Sequence, residues 1–323
     1  MRKYNLPIFI PHRGCPHDCA FCSQKKITGI DTDVTPAEVR ELIKNFLKTI
    51  DLKSSSVEVA FFGGSFTGLK KELQEEFLKV AKEFKPQISG IRLSTRPDCI
   101  DGEILDLLEE YGVTTVELGV QSSDDAVLEM NDRGHSFDDV KKASELIKDR
   151  GIALGHQMML GMYASTPEKD LKTVKDIIAL APDCVRIYPV LTLKGTKLER
   201  LFENGEYKPY SIEKAAELAK KARLMFRDAD IEVIRIGLHS SEDLEDGETI
   251  VAGPYHPAFG EIVEGLVFRD IMEKKLLDEG TESGKLVFYA DKSDVSKAVG
   301  HKKANKIYFR EKYNTELCVL AKD

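Results

Sequence analysis

The chain has 323 residues, 42% of them hydrophobic and 32% charged, with Lys+Arg 47 against Asp+Glu 55 and a formal net charge of -8. That length suffices for one barrel-sized domain with a small appendage and excludes a stapled miniprotein. The acidic balance excludes general coating of a polyanion, although a local basic patch would still act on one, and no apolar run approaches the roughly 20 residues of a membrane span, so a cytoplasmic protein without a membrane partner is expected.

In chain order, the first predicted strand is IFI (8–10), directly before a cluster of cysteines. The next element is a helix over 35–50, opened by Thr35 as cap, Pro36 at the first helical position and Glu38 three residues after the cap; this is a capping-box pattern. Further β-branched runs predict strands at 57–62, 90–94, 115–120, 152–159, 185–190 and 231–238, and amphipathic periodicity predicts helices at 70–84, 101–111, 136–150, 167–181 and 211–228. Strands alternating with helices imply a parallel sheet, and seven strands imply an α/β fold built as a full or partial (β/α) barrel, with functional residues at strand ends. An acidic stretch at 240–248 marks a domain boundary, dividing the chain into a barrel (1–245) and a C-terminal α+β extension (246–323). The extension reads as a long helix around 258–279, a strand at 285–291, a helix near Ser293, a turn at Gly300, a second helix and a strand at 316–321.

Three of the six cysteines, Cys15, Cys19 and Cys22, fall within eight residues in the spacing C-x3-C-x2-C. In a reducing compartment such clustering indicates metal ligation rather than disulfides. Three thiolates do not complete the four ligands of a structural zinc, and no fourth partner stands at finger-like spacing; a zinc site completed by His12 or His17 is the alternative. Three cysteines on a four-iron cluster would leave one iron open to a small chelating molecule. Downstream, FFGGSF (61–66) ends a predicted strand in two glycines, which allow a ligand close to the backbone.

With Phe21 just before the last cysteine, this cluster resembles the signature of the radical S-adenosylmethionine superfamily. The runs RLSTRPD (92–98), VELGVQS (116–122), NDRGHS (131–136) and LGHQMMLGM (154–162) are similar, in the same order, to the radical domain of the catalytic subunit of Elongator, and the similarity spans residues 8 to about 240. Two departures stand out: Ser65 takes the place where many relatives carry Glu, and Elongator has a longer first cysteine gap. An acetyltransferase-like domain of the Elongator kind is not expected within these 323 residues.

The resemblance implies a [4Fe-4S] cluster on Cys15, Cys19 and Cys22, S-adenosylmethionine chelated to the open iron, and reductive cleavage to a 5'-deoxyadenosyl radical. It implies cofactor contacts at Phe21, Gly63, Gly64, Ser65, Ser94, Gln121, Arg133 and Gln157, and an electron donor such as flavodoxin or ferredoxin. Glu117 and Arg96 are read as barrel-interior ion-pair partners, His156, Tyr188 and Cys99 as packing residues, and Cys184 and Cys318 as structural. The similarity to Elongator implies RNA, specifically tRNA, as substrate; a small metabolite such as a tetrapyrrole, and a non-catalytic iron-sulfur or zinc protein, are the alternatives. Between residues 292 and 312 seven basic residues face two acidic ones, and VGHKKANKIYF (299–309) faintly resembles the G-x-x-G loop that clamps nucleic-acid backbones, which nominates Lys302, Lys303, Lys306 and Arg310 as RNA contacts.

Overall fold

The computed structural model describes residues 2–10, 14–23, 34–238, 249–279 and 284–322. The first unit is a succession of strands and helices: β1 (Arg2–Ile10), α1 (Pro36–Lys48), β2 (Ser55–Gly63), α2 (Lys71–Glu83), β3 (Gly90–Thr95), α3 (Gly102–Glu110), β4 (Thr115–Gln121), α4 (Asp125–Met130), α5 (Phe137–Asp149), β5 (Ala153–Leu160), α6 (Pro167–Leu180) and β6 (Cys184–Pro189). It continues through β7 (Thr192–Leu193), α7 (Lys197–Glu203), α8 (Ile212–Asp228), β8 (Glu232–Ile236) and β9 (Ile250–Ala252). Seven parallel strands lie in the order β1-β2-β3-β4-β5-β6-β8, so β1 and β8 are edges and the barrel is partial.

Period-two alternation sorts the side chains of each strand. On β1, Leu6, Ile8 and Ile10 join the core beneath the helices, while Asn5, Pro7 and Phe9 line the opposite, concave face. On β6, Val185 and Ile187 enter that core, while Arg186 and Tyr188 face the concavity. The first strand begins at Arg2, six residues before the predicted start, because Pro7 does not end it: β1 pairs only with β2, and an edge strand tolerates a residue lacking its N–H.

The first helix starts where its predicted cap places it. Thr35 and Glu38 form a reciprocal capping box at α1, and Ser136 with Asp139 forms another at α5; each side-chain cap satisfies an amide that the helix leaves open.

The C-terminal elements are α9 (Phe259–Glu279), β10 (Lys285–Ala290), α10 (Val295–Val299), α11 (Ala304–Tyr313) and β11 (Glu316–Ala321). β10 and β11 pair in parallel, and both pack with α9 and α11 around Met272, Leu276, Leu286, Phe309 and Leu317. The first half of α9 belongs to the barrel, since Phe259 and Val263 lie in its core, so this helix ties the two hydrophobic clusters together. Asn305, 2% exposed, donates to Gly265 O (2.8 Å) and Ala298 O (3.0 Å) and fixes α10 and α11 onto α9. The acidic stretch 240–248 lies outside the described residues.

Candidate active site

The concave face carries a chain of alternating charges. Glu117, 1% exposed, accepts two hydrogen bonds from Arg186 (Nε 2.6 Å, a terminal nitrogen 2.9 Å), one from Arg92 (2.9 Å) and one from Gln157 Nε2 (2.9 Å). Arg92 reaches back to Glu58 at 3.0 Å. Burial would raise the Glu117 pKa, but the two guanidiniums and the Gln157 amide more than offset it and hold the carboxyl below its ordinary value. The sequence-based pairing expected for Glu117 is therefore present, and its partners are Arg92 and Arg186; Arg96 instead pairs with Asp98 through two contacts of 2.9 Å. Which cations would meet Glu117 was not readable from the chain, because strand order decides it.

Beyond this floor, at the C-terminal strand ends, one cavity is lined by Cys15, Cys19 and Cys22 together with Phe21, Gly63, Gly64, Ser94, Gln121, Arg133 and Gln157. Ten of the eleven residues expected around the cluster and cofactor thus converge at one place. The eleventh, Ser65, is 1% exposed and turned away: its hydroxyl bonds Thr95 Oγ1 at 2.8 Å and accepts from Arg96 N at 3.3 Å.

Close backbone packing sets the cysteine loop. Gly14 has φ +75°, and a methyl on either Gly14 or Gly68 would strike the backbone of the other, so two glycines interlock the loop with the turn after β2. Ala20 N donates to Asn131 O at 3.0 Å and Leu198 N to Ala20 O at 2.8 Å, which fastens the loop to α4 and α7. Neither short helix was predicted, and the glycine pairing had no signal beyond Gly14 preceding the first cysteine.

Several polar groups around this cavity lack partners. Gln121 Oε1, Arg133 Nε and a terminal nitrogen of Arg96 are buried without a hydrogen bond, a state that costs free energy unless a ligand relieves it. Gln121 also has φ +64°, a left-handed backbone in a residue with a side chain, and the β4–β5 register shifts between Gly119 and Gln121. Backbone strain of this kind gathers at ligand sites. Arg133 donates to Gly119 O (2.8 Å) and to Cys19 Sγ (3.1 Å). Burial and the neighbouring Cys19 raise the Cys15 thiol pKa, while Arg96 and Arg133 oppose that rise and favour thiolate.

Among the described residues no three His, Cys, Asp or Glu side chains converge as ligands of a single ion. A four-iron cluster does not ask for that, since each cysteine takes a different iron. The orphaned amide and guanidinium atoms and the glycine-walled cavity fit a cofactor with carboxylate and hydroxyl groups. His12, half of the zinc alternative, lies outside the described residues, and His17 lines the cavity beside Gly134.

The packing residues sit as expected. His156 is 1% exposed and bonds Ser144 Oγ at 3.0 Å, Cys184 lies behind Glu117 with Arg92 3.7 Å from its sulfur, and Cys99 lies under the Thr67 hydroxyl's bond to its carbonyl (2.6 Å). Tyr188, by contrast, faces the concavity.

A protein-family model described as the Radical SAM superfamily matches residues 9–177, and one described as Radical_SAM C-terminal domain matches residues 182–267. The chain belongs to the radical SAM superfamily, and its domain architecture is that of a radical SAM enzyme.

Within that class it resembles the Elongator type. The tRNA uridine(34) acetyltransferase of Methanocaldococcus infernus is 32% identical over 255 residues, 65% of this chain and 47% of that protein. Human Elongator complex protein 3 is 28% identical over 259 residues, again 65% and 47%. The solved structure of M. infernus Elp3 with an N-terminal deletion superposes with a TM-score of 0.65 at 27% identity, covering 84% of this chain and 63% of that one. Coproporphyrinogen III oxidase (HemN) from Escherichia coli, at 16% identity and TM-score 0.51, shares the fold. The chain spans about half the length of the curated relatives it matches.

Proposed function

We propose that this protein holds a [4Fe-4S] cluster on Cys15, Cys19 and Cys22, binds S-adenosylmethionine beside it, and modifies RNA, specifically tRNA. The observation that carries the reading is the meeting of three cysteines, a Gly-Gly turn and orphaned Gln121, Arg133 and Arg96 atoms around one cavity. When bound, the cluster and S-adenosylmethionine supply a 5'-deoxyadenosyl radical by reductive carbon-sulfur cleavage. The chain's own residues bind and orient. Gly63 and Gly64 offer backbone to the methionine ammonium, Arg133 offers a charge-assisted pair to a carboxylate, and Gln121 offers its amide to ribose hydroxyls, with Ser94 and Gln157 as further polar contacts and Phe21 as an apolar wall. Ser65 acts at one remove, by holding the turn against β3.

Support for tRNA comes from two directions. One relative named above, the Methanocaldococcus infernus acetyltransferase, acts by name on tRNA uridine, and the C-terminal elements carry a cationic surface. Lys302, Lys303, Lys306 and Arg310 are exposed, and no ion pair joins them to another described residue, whereas Lys297 pairs with Asp294 and Lys312 with Glu273. The loop GHKK joins α10 to α11 with Gly300 at φ +80°, Lys302 at +50° and Lys303 at +64°, so Lys303 adopts the left-handed backbone that the second glycine of a G-x-x-G loop would supply. We take residues 1–245 as the catalytic unit and 246–323 as the docking extension, which is fastened to the barrel through β9 and the first half of α9, with a flavodoxin or ferredoxin as electron donor.

The test is anaerobic reconstitution followed by dithionite and S-adenosylmethionine, with and without total tRNA. 5'-Deoxyadenosine, together with a mass shift in tRNA nucleosides, is the expected result. No 5'-deoxyadenosine from protein loaded with four irons would overturn the catalytic reading, and turnover without any change in RNA would overturn the substrate.

A further inference from the structure

The concave face contains a guanidinium that the charge chain leaves unmatched. Across β4, β5, β6 and β8 one row of residues is in register, Gly119, Gln157, Arg186 and Arg235, so Arg186 and Arg235 stand side by side on adjacent strands. Glu58 and Glu117 balance Arg92 and Arg186 in number and contact. Arg235 has no carboxylate partner among the described residues; its Nε donates to Gly237 O (3.1 Å) and a terminal nitrogen to Leu238 O (3.3 Å), both neutral carbonyls of its own strand end. Burial and the neighbouring Arg186 push its pKa below the ordinary arginine value, with Tyr188 opposing them. A half-buried cation next to another cation is costly, and two carbonyl contacts fix its direction without neutralising it.

Arg235 borders a cavity of about 450 Å³ that opens beside the cysteine-lined one and shares Phe21, Cys22, Gly63 and Gln121 with it. The same cavity is lined by Tyr188, Ile234, Leu238, Leu191 and Leu193, with Arg186 and Gln157 among its polar groups. A guanidinium without a carboxylate partner at the wall of a partly apolar cavity is the recognition chemistry of a paired-oxygen anion. It lies on the last strand of the sheet, whereas Arg133, the cation proposed for the cofactor carboxylate, follows β4.

We propose that Arg235, with the Tyr188 hydroxyl beside it, is the anion anchor of the substrate, binding a phosphate or carboxylate of the molecule that the radical attacks. The inference rests on the radical SAM reading given above. If the substrate is RNA, the anchored group is the phosphate next to the target nucleoside.

Calorimetric titration of the cluster-loaded protein, saturated with S-adenosylmethionine, tests this with uridine 5'-monophosphate, uridine and malonate as probes. Wild type is expected to bind the monophosphate about tenfold or more tightly than uridine, the worth of a charge-assisted hydrogen-bonded pair. Arg235→Gln abolishes that preference and leaves S-adenosylmethionine affinity unchanged, while Arg235→Lys, which keeps the charge and meets the folding concern, retains part of it. Tyr188→Phe weakens the monophosphate alone. Equal affinity of wild type and both Arg235 variants for every anion would overturn the anchor, as would a parallel loss of S-adenosylmethionine binding. Arg235-dependent binding of malonate without binding of the monophosphate would support the anchor and defeat the RNA reading, so the two failures are distinguishable.

Discussion

Replacing Glu117 by Gln removes the negative charge shared by Arg92 and Arg186 while keeping the side chain's size. Arg92 retains Glu58 at 3.0 Å, but Arg186 loses its bidentate carboxylate and keeps no charged partner, only the neutral Tyr188 hydroxyl and its stacking on Phe62, 5.0 Å from the ring centre. Removing one partner of a buried ion pair typically costs about 3–5 kcal/mol, because the other charge stays buried without compensation. Glu117 is 1% exposed, so solvent screening gives little relief. We therefore expect Glu117→Gln to lose about 3–5 kcal/mol of unfolding free energy in urea. Glu58→Gln, at an acid with 23% exposure, should lose about 1 kcal/mol or less.

The double variant Glu117→Gln, Arg186→Gln decides the cause. If an uncompensated charge is responsible, the second change offsets much of the first and the two are strongly non-additive. A loss below about 1 kcal/mol in Glu117→Gln, or strict additivity in the double variant, would refute the reasoning, because either outcome means that water or rearrangement compensates Arg186.

Other consequences follow from the same geometry. A methyl at residue 119 would come within 3.1 Å of Gln121 Nε2 and 3.3 Å of Arg133; Gly119→Ala should keep the fold but weaken S-adenosylmethionine binding roughly tenfold, the worth of one displaced charged contact, and unchanged affinity by equilibrium dialysis would contradict the site. Burial holds the His156 pKa down at about 3, against an ordinary 6.5, so the unfolded chain binds a proton that the folded chain refuses. Its contribution to stability is complete above pH 6.5 and declines as pH falls toward 3, and His156→Gln should flatten that part of the stability-pH curve in chemical denaturation. Lys302→Glu with Lys303→Glu should lower tRNA affinity and reduce the slope of its salt dependence by about 2; equal, salt-insensitive binding by filter assay would remove the loop from RNA docking.

What the chain discloses divides along physical lines. Period-two and helical patterns are local, so the seven sheet strands and the principal helices were readable, as was the capping box at Thr35; the one at Ser136 closes on Asp139 and was not singled out. Short helices α4 and α7 lack enough residues for a period. The β7–β9 pair joins residues 192–193 to 250–252, a contact no local signal carries. Motif spacing brought the cysteines, Gly63, Gly64, Gln121 and Arg133 to one cavity, but it could not show that Ser65 turns inward, because that depends on Thr95 arriving from β3. Likewise Glu117 was identifiable as a buried acid with a cation, whereas the choice of Arg92 and Arg186 is fixed by sheet order.

The strained residue at the centre of the site makes stability and binding separable. Gln121 combines a left-handed backbone with a buried, unpartnered Oε1, costs of about 1–2 kcal/mol for the backbone and about 1–3 kcal/mol for the orphaned atom. Both are borne by the protein without ligand, and a cofactor hydroxyl donated to Oε1 would recover the second. Gln121→Gly removes both costs and adds back about 0.5–1 kcal/mol of glycine entropy, so the ligand-free variant should be more stable than wild type by about 1 kcal/mol or more in urea. The same variant should bind S-adenosylmethionine more weakly and gain less thermal stability from it, since linkage converts affinity directly into stabilisation. A residue with only a structural role would not move these two quantities in opposite directions. Destabilisation of the ligand-free variant together with unchanged cofactor affinity would show that the strain serves the fold and not the ligand.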